Sequence, residues 1–198
     1  MLKDDITKFM QVTKMFDDTD AAFKRQHKQY LEELYGPNEL TDSIYKKSLV
    51  GMLDGIGDAS FVALTLSKLA KEENDIEVDL HSLHNLLYSI TNYFNISSNT
   101  IKECTAEVAR SNLSKFDTTI EAGRISLQAY TDKRILADLL YNEEADLYYL
   151  LSATDQTDQH GKTIHKGKIL KSSKFSEPNF TDIVEANPYL LTIFEEPL

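Results

Sequence analysis

Leu53-Asp54-Gly55-Ile56-Gly57-Asp58 is the stretch whose reading decides the fold. An α-helix turns once every 3.6 residues, so Asp54 and Asp58 project from one face, and two carboxylates side by side repel unless a cation lies between them. Leu49, Met52, Leu53, Ile56 and Leu64 recur around the pair and predict one long helix over about 41–71 with these side chains turned inward. Gly51, Gly55 and Gly57 interrupt that helix, each costing about 1 kcal/mol relative to alanine. Close packing of another helix, or a bend, is the expected compensation.

Upstream, Ile6, Phe9, Met10, Val12 and Phe16 form a loosely amphipathic first segment. The cluster Asp17-Asp18-Thr19-Asp20 ends it and supplies a cap for a second helix over 21–35, whose stripe is Phe23, Tyr30, Leu31 and Leu34. Gly36-Pro37-Asn38 stops that helix, because proline lacks a donor and restricts the residue before it. Downstream, 71–79 reads as a polar loop, followed by helices over 80–94 and 98–115, the latter capped by Ser97 or Ser98. Thr118 and Glu121 have capping-box spacing and predict one more helix start.

Beyond it, 147–151 and 168–171 read as two short strands forming a hairpin around the polar loop 154–162. The tail is expected to be irregular apart from a helical turn near 181–185. The predicted fold class is mainly α: a helical core over 1–116, with 117–198 adding a helix, a small β-hairpin and a tail packed on that core. No internal repeat or sharp break in composition divides the chain.

The 198 residues are 41% apolar with a formal charge of −11, which fits a globular protein with a real core and argues against a general nucleic-acid binder. No apolar run looks long enough to span a bilayer, and Met1-Leu2-Lys3-Asp4-Asp5 lacks a signal pattern, so the expected location is the cytoplasm. Cys104 is the single cysteine, which excludes an intramolecular disulfide, and the five histidines show no zinc spacing. Charge is uneven. Residues 159–176 contain no acid but hold Lys162, Lys166, Lys168, Lys171 and Lys174 with His160 and His165. Such a strip reads from its residues first as a lysine-rich hairpin edge that discourages strand aggregation, with phosphate contacts as the alternative.

Four acids stand out together: Glu32 and Glu33 on the second helix, Asp54 and Asp58 on the third. Facing acidic pairs on antiparallel helices supply the oxygen ligands that hard divalent cations take, with solvated helix faces as the plain alternative. Asn112 and Lys115, three apart on the last core helix, share a side and read by themselves as an ordinary polar helix end, with a substrate phosphate as the sharper alternative.

Asp54-Gly55-Ile56-Gly57-Asp58, then Glu107-Val108-Ala109-Arg110-Ser111-Asn112-Leu113-Ser114-Lys115-Phe116, then Gly167-Lys168-Ile169-Leu170-Lys171-Ser172 with Phe175 and Pro178, run in this order along the chain. The set resembles the all-α nucleoside triphosphate pyrophosphohydrolases of the MazG-like type, in a dialect common in bacteriophages. The resemblance implies a helical bundle, dimeric or tetrameric, binding magnesium (or manganese) and hydrolysing a ribo- or deoxynucleoside triphosphate to the monophosphate and pyrophosphate. It implies Glu32, Glu33, Asp54 and Asp58 as metal ligands, with Glu33 and Asp58 catalytic. Asn112, Lys115, Lys168 and Lys171 would contact substrate. A phage origin would place the protein in the host cytoplasm.

Two positions depart from the family pattern. Gly36 and Gly51 stand where glutamates are expected, and Glu39, just past Pro37, substitutes for the first if the loop folds back. The two losses leave a second reading open, a protein that kept the pocket and binds nucleotide or a partner without turnover.

Overall fold

The computed structural model describes residues 1–72 and 80–194. It is mainly helical with a small antiparallel sheet. The helices are α1 (Leu2–Val12), α2 (Thr19–Tyr35), α3 (Leu40–Tyr45), α4 (Leu49–Glu72), α5 (Leu80–Tyr93), α6 (Ser98–Leu113), α7 (Ile120–Asp132) and α8 (Thr181–Ala186), with a 3-10 turn over Pro188–Thr192. The strands are β1 (Ala137–Asn142), β2 (Leu147–Ser152), β3 (Gln156–Thr157), β4 (Thr163–Ile164) and β5 (Ile169–Leu170). The chain divides into two compact units. One holds 1–6, 14–109 and the described part of 178–198; the other holds 7–13 and 110–177.

In the first unit α2 packs along α4, and α3 packs on both. Asp18 caps α2, its Oδ1 accepting from the Ala21 amide at 3.0 Å. The inner stripe of α2 is Ala22, Gln26, Tyr30 and Leu34, spaced by four; Leu31, expected inside, is 41% exposed. Opposite it α4 buries Met52, Leu53, Ile56, Leu66 and Leu69 completely. Each such side chain removed from water contributes about 1.5–3 kcal/mol. Gln26 enters this core only because the Thr65 hydroxyl donates to its Oε1 at 3.1 Å.

The long helix predicted over 41–71 is two. After α3, Lys47 takes a left-handed φ of 55°, and the Ser48 hydroxyl accepts from the Gly51 amide at 3.1 Å, capping α4. Of the loop expected over 71–79, Lys71 and Glu72 continue α4 and the rest lies outside the described residues. The expectation that no run is long enough to span a bilayer needs correction too. The stretch Leu49–Lys71 of α4 is long and apolar enough by length and composition, and its most apolar window is 67% buried inside the protein, as in the central helix of a core. Ser97 caps α6, its Oγ accepting from the Thr100 amide at 3.0 Å.

In the second unit the sheet order is β1-β2-β5, antiparallel throughout. The expected strands pair, Leu150 with Leu170 and Leu151 with Ile169, but they do not make a two-stranded hairpin. The unpredicted β1 flanks β2 on its other side, Leu139 opposite Leu150, and the polar loop holds the two-residue ladder of β3 and β4. As the central strand, β2 is covered on both faces. Leu147 and Tyr149 join Val12, Phe116 and Ala145, while Leu150 joins Ile135, Ile164 and Leu170, the period-two alternation of a strand. The cap of α7 is Thr119, one residue beyond the expected Thr118, accepting from the Ala122 amide at 3.2 Å.

Candidate functional site

The inward stripe of α2 sets the two glutamates apart. Glu33 follows the stripe and is half-buried, whereas Glu32 is exposed, its carboxylate 3.5 Å from the Lys28 ammonium one turn earlier. Asp54 and Asp58 on α4 are both half-buried, flanked in sequence by the fully buried Leu53, Ile56 and Ala59. Glu33, Asp54 and Asp58 therefore sit at the margin of one core, and Glu32 looks outward.

The turn after α2 brings in a further acid. The Gly36 amide donates to the Glu32 carbonyl at 2.7 Å, and a Cβ on residue 36 would lie 2.6 Å from that same oxygen and 3.0 Å from Glu39 Cγ. No glutamate fits there. The chain instead folds back past Pro37 so that the Glu39 side chain lies against Gly36, and its carboxyl hydrogen-bonds that of Glu33. Burial first, then the Glu33 charge and that hydrogen bond, and finally the Asp54 charge push Glu39 up to about 7. At Gly51, the other expected glutamate position, a Cβ would stand 2.5 Å from Ser43 Oγ and 3.0 Å from Ser43 Cβ, so a side chain there would have to displace Ser43.

The glycines near the aspartates serve close approach. A Cβ on Gly55 would meet Leu40 Cα at 2.8 Å, and one on Gly57 would meet Val108 Cγ2 at 2.7 Å and the Cys104 carbonyl at 2.9 Å. Thus α3 and α6 press against α4 beside Asp54 and Asp58, as the glycine spacing predicts. Cys104 is fully buried, and its thiol is pushed up to about 12 by burial, then by the Glu103 charge and, more weakly, by Asp54. It has the character of a packed apolar residue, not of a nucleophile.

Glu103 is an acid that the motif reading passed over. Its Oε1 accepts from Asn99 Nδ2 at 2.7 Å, and its Oε2 is buried with no hydrogen-bond partner among the described residues. The available signal was its four-residue spacing from Glu107 on α6, whose carboxylate accepts from the Asn179 amide at 2.6 Å. Among the described residues no three His, Cys, Asp or Glu side chains stand together closely enough to hold a metal ion. The donors are nonetheless hard oxygens, the chemistry that magnesium takes, usually completed by waters and substrate phosphates.

The residues expected to contact substrate belong to the second unit. At the end of α6 the Lys115 ammonium donates to Asn112 Oδ1, so the pair shares a side as the spacing predicts. Lys171 follows β5, its ammonium 2.9 Å from the Glu177 carboxylate and 3.9 Å from the Phe175 ring centroid. Lys168 is exposed in the turn before β5. Lys115, Lys168 and Lys171 line one cavity of about 510 Å³.

No known protein family, curated protein or solved structure matches this chain.

Proposed function

We propose that this protein is a magnesium-dependent hydrolase of nucleoside triphosphates, releasing pyrophosphate and the monophosphate, on a helical fold of the MazG-like type. The observation that carries the proposal is the gathering of Glu33, Glu39 and Asp54 at one margin of the core, with the Glu39 side chain folded against Gly36 and near enough to the other two to feel both charges. Carboxyls crowded to this degree, where apolar packing would be more stable, are the arrangement a divalent cation relieves.

In this reading Glu33, Asp54 and Asp58, with Glu39, would be drawn together by the metal and the phosphates it brings, since they do not stand close enough to hold it alone, and Glu32, paired with Lys28, faces away. The ion, when bound, neutralises the triphosphate and lowers the pKa of water. Glu33, released from Glu39, accepts the proton of the attacking water. The resemblance implies Asn112, Lys115, Lys168 and Lys171 of the second unit as phosphate contacts. Glu39 occupies the role that the missing glutamate at 36 would have had.

The crowding at positions 36 and 51 supports a second reading, a nucleotide-binding protein without turnover, because a glutamate at either position would have to displace its neighbours. Incubating the purified protein with a panel of ribo- and deoxynucleoside triphosphates at millimolar magnesium, and following pyrophosphate, decides between them. Release that is lost in Asp54→Asn supports the hydrolase; no release from any triphosphate leaves the binding reading.

A further inference from the structure

A second hollow, of about 310 Å³, lies in the first unit where α4, α5 and α6 meet the start of α1. Small-ligand sites span about 300–1,000 Å³, so it is large enough for a compact ligand. Its base is aliphatic, with Ala63 and Leu87 buried and Leu2 and Ile101 half-buried at the sides. The exposed side chains of Leu64, Tyr88 and Lys102 form its rim.

Three hydroxyl groups belong to the lining. Thr91 and Thr105 spend their protons inside their own helices, donating to the Tyr88 carbonyl at 3.0 Å and to the Ile101 carbonyl at 2.6 Å. Ser60 differs. A serine inside a helix can give its proton to a carbonyl one turn back, as Ser67 does to Ala63 at 2.9 Å on the same helix. Ser60 is 8% exposed, and its buried hydroxyl has no hydrogen-bond partner among the described residues. An acceptor brought from outside satisfies such a group. Ser60 follows Asp58 by two residues, just over half a turn of α4, so the hollow opens on another side of the helix from the acidic margin.

Lys102 is the one cation among the lining residues, which include no acid, and no ion pair among the described residues engages it. Its four-carbon stem lets the ammonium follow a head group. One ammonium and one unspent hydroxyl match the two oxygens of a single carboxylate and are too few for a polyphosphate. The aliphatic walls suit an alkyl chain. A second copy of the chain needs more surface, because a stable dimer covers about 800 Å² on each partner. Of the apolar side chains lining the hollow, only Leu64 and Tyr88 are exposed.

We infer that this hollow binds a small amphiphile, an unbranched alkyl chain ending in one carboxylate, with its chain against Leu64, Leu87 and Ile101 and its carboxylate accepting from the Ser60 hydroxyl and the Lys102 ammonium. The inference does not rest on the hydrolase proposal, since none of these residues is a proposed metal ligand or phosphate contact.

The test is titration of the full chain, labelled at its methyl groups, with octanoate and with octylammonium, followed by NMR. Shifts should concentrate on Leu64, Leu87 and Ile101, and octanoate should bind at least tenfold more tightly than octylammonium, which carries a similar chain and the opposite charge. Lys102→Glu should invert that preference without a change in melting temperature, because the side chain is exposed. Ser60→Ala should melt no lower than wild type, since it removes a hydroxyl without a partner, yet bind octanoate at least threefold more weakly. That combination separates a ligand contact from a structural role. Absence of octanoate binding at millimolar concentration, equal affinity for the two amphiphiles, shifts confined to other residues, or an affinity unchanged in Ser60→Ala overturns the inference. So does a dimer in sedimentation that Leu64→Glu dissociates, which would assign the rim to a second copy of the chain.

Discussion

Glu39 lies against Glu33 across the Gly36-Pro37 turn, and burial first, then the Glu33 charge and the hydrogen bond between the two side chains, raise Glu39 to about 7. A carboxyl with a folded-state pKa above its ordinary value binds its proton more tightly in the folded chain. Between about 4.5 and 7 the folded state therefore holds more protons than the unfolded state, and stability falls as pH rises through that window. Glu39→Gln keeps a hydrogen-bond donor for Glu33 and removes the titration. We expect it to be more stable than wild type at pH 8 by about 1 kcal/mol, a figure reduced for the solvent contact that Glu39 retains. At pH 4.5 the two should agree. Urea unfolding at both pH values checks this, and an equal difference at the two would remove the pair as its origin.

Magnesium binding at this pair must displace the shared proton, because a ligating carboxylate is deprotonated. Titration of magnesium into the protein at pH 6.5 should then show an enthalpy that varies with the ionisation heat of the buffer, corresponding to net proton release. Glu39→Gln should abolish the buffer dependence. Asp54→Asn and Asp58→Asn should each lower nucleotide hydrolysis at least about tenfold, or roughly 1.4 kcal/mol of transition-state stabilisation. Buffer-independent magnesium heats in the wild type would place the metal elsewhere.

How far the residues reveal their own arrangement differs between local and long-range features. Asp18 and Ser97 cap the helices they precede because a side-chain oxygen and an amide three residues on need nothing distant. The end of α2 at Gly36-Pro37 is equally local. The break at Lys46-Lys47-Ser48 escaped because apolar spacing continues across it, although Ser48 before Leu49 is itself a cap signal. β1 escaped for another reason. Asp138-Leu139-Leu140-Tyr141 does not alternate cleanly, and it becomes a strand by pairing with β2. That Asp54 and Asp58 share a face of α4 is legible from helical spacing, but that Glu33 is half-buried while Glu32 faces outward depends on which side of α2 meets α4. Glu103 was hidden because the burial of its carboxylate is a property of the packed helices and not of its spacing on α6.

The approach of α6 to α4 depends on one missing side chain. Gly57 admits the Cys104 carbonyl and Val108 Cγ2 within the space of a methyl group. Gly57→Ala gains about 1 kcal/mol in helix propensity, but the clash with a backbone carbonyl cannot be relieved by a rotamer change. The net expectation is a loss of about 1–3 kcal/mol, seen as a lower urea midpoint with an unchanged slope. Gly161→Ala is a contrasting control. It meets nothing within 4 Å but holds a φ of 81°, so its smaller cost, about 1 kcal/mol, is backbone strain alone. A stable Gly57→Ala would mean that α4 and α6 pack with room to spare.

In the second unit, Asp117 is 3% exposed and carries a charge that the fold must satisfy. Its amide and carbonyl pair with Tyr148 at 2.8 and 2.7 Å, extending the edge of the sheet, and its Oδ1 accepts from the Ser172 hydroxyl at 2.8 Å. Ser172 is itself buried, its amide donating to the Lys115 carbonyl at 3.0 Å and its Oγ accepting from the Lys174 amide at 3.0 Å. Ser172→Ala leaves the backbone bonds of Asp117 and Ser172 in place, but removes both the donor to a buried carboxyl and the acceptor of the Lys174 amide. The expected cost is about 1–3 kcal/mol, the penalty of a desolvated acceptor losing its partner and not the modest net value of an exposed hydrogen bond. Ser172→Ala combined with Asp117→Asn should be less destabilised than the sum of the two single changes, since the amide no longer leaves a buried charge without its donor. Strict additivity in a double-mutant cycle would show that Ser172 and Asp117 do not act on each other.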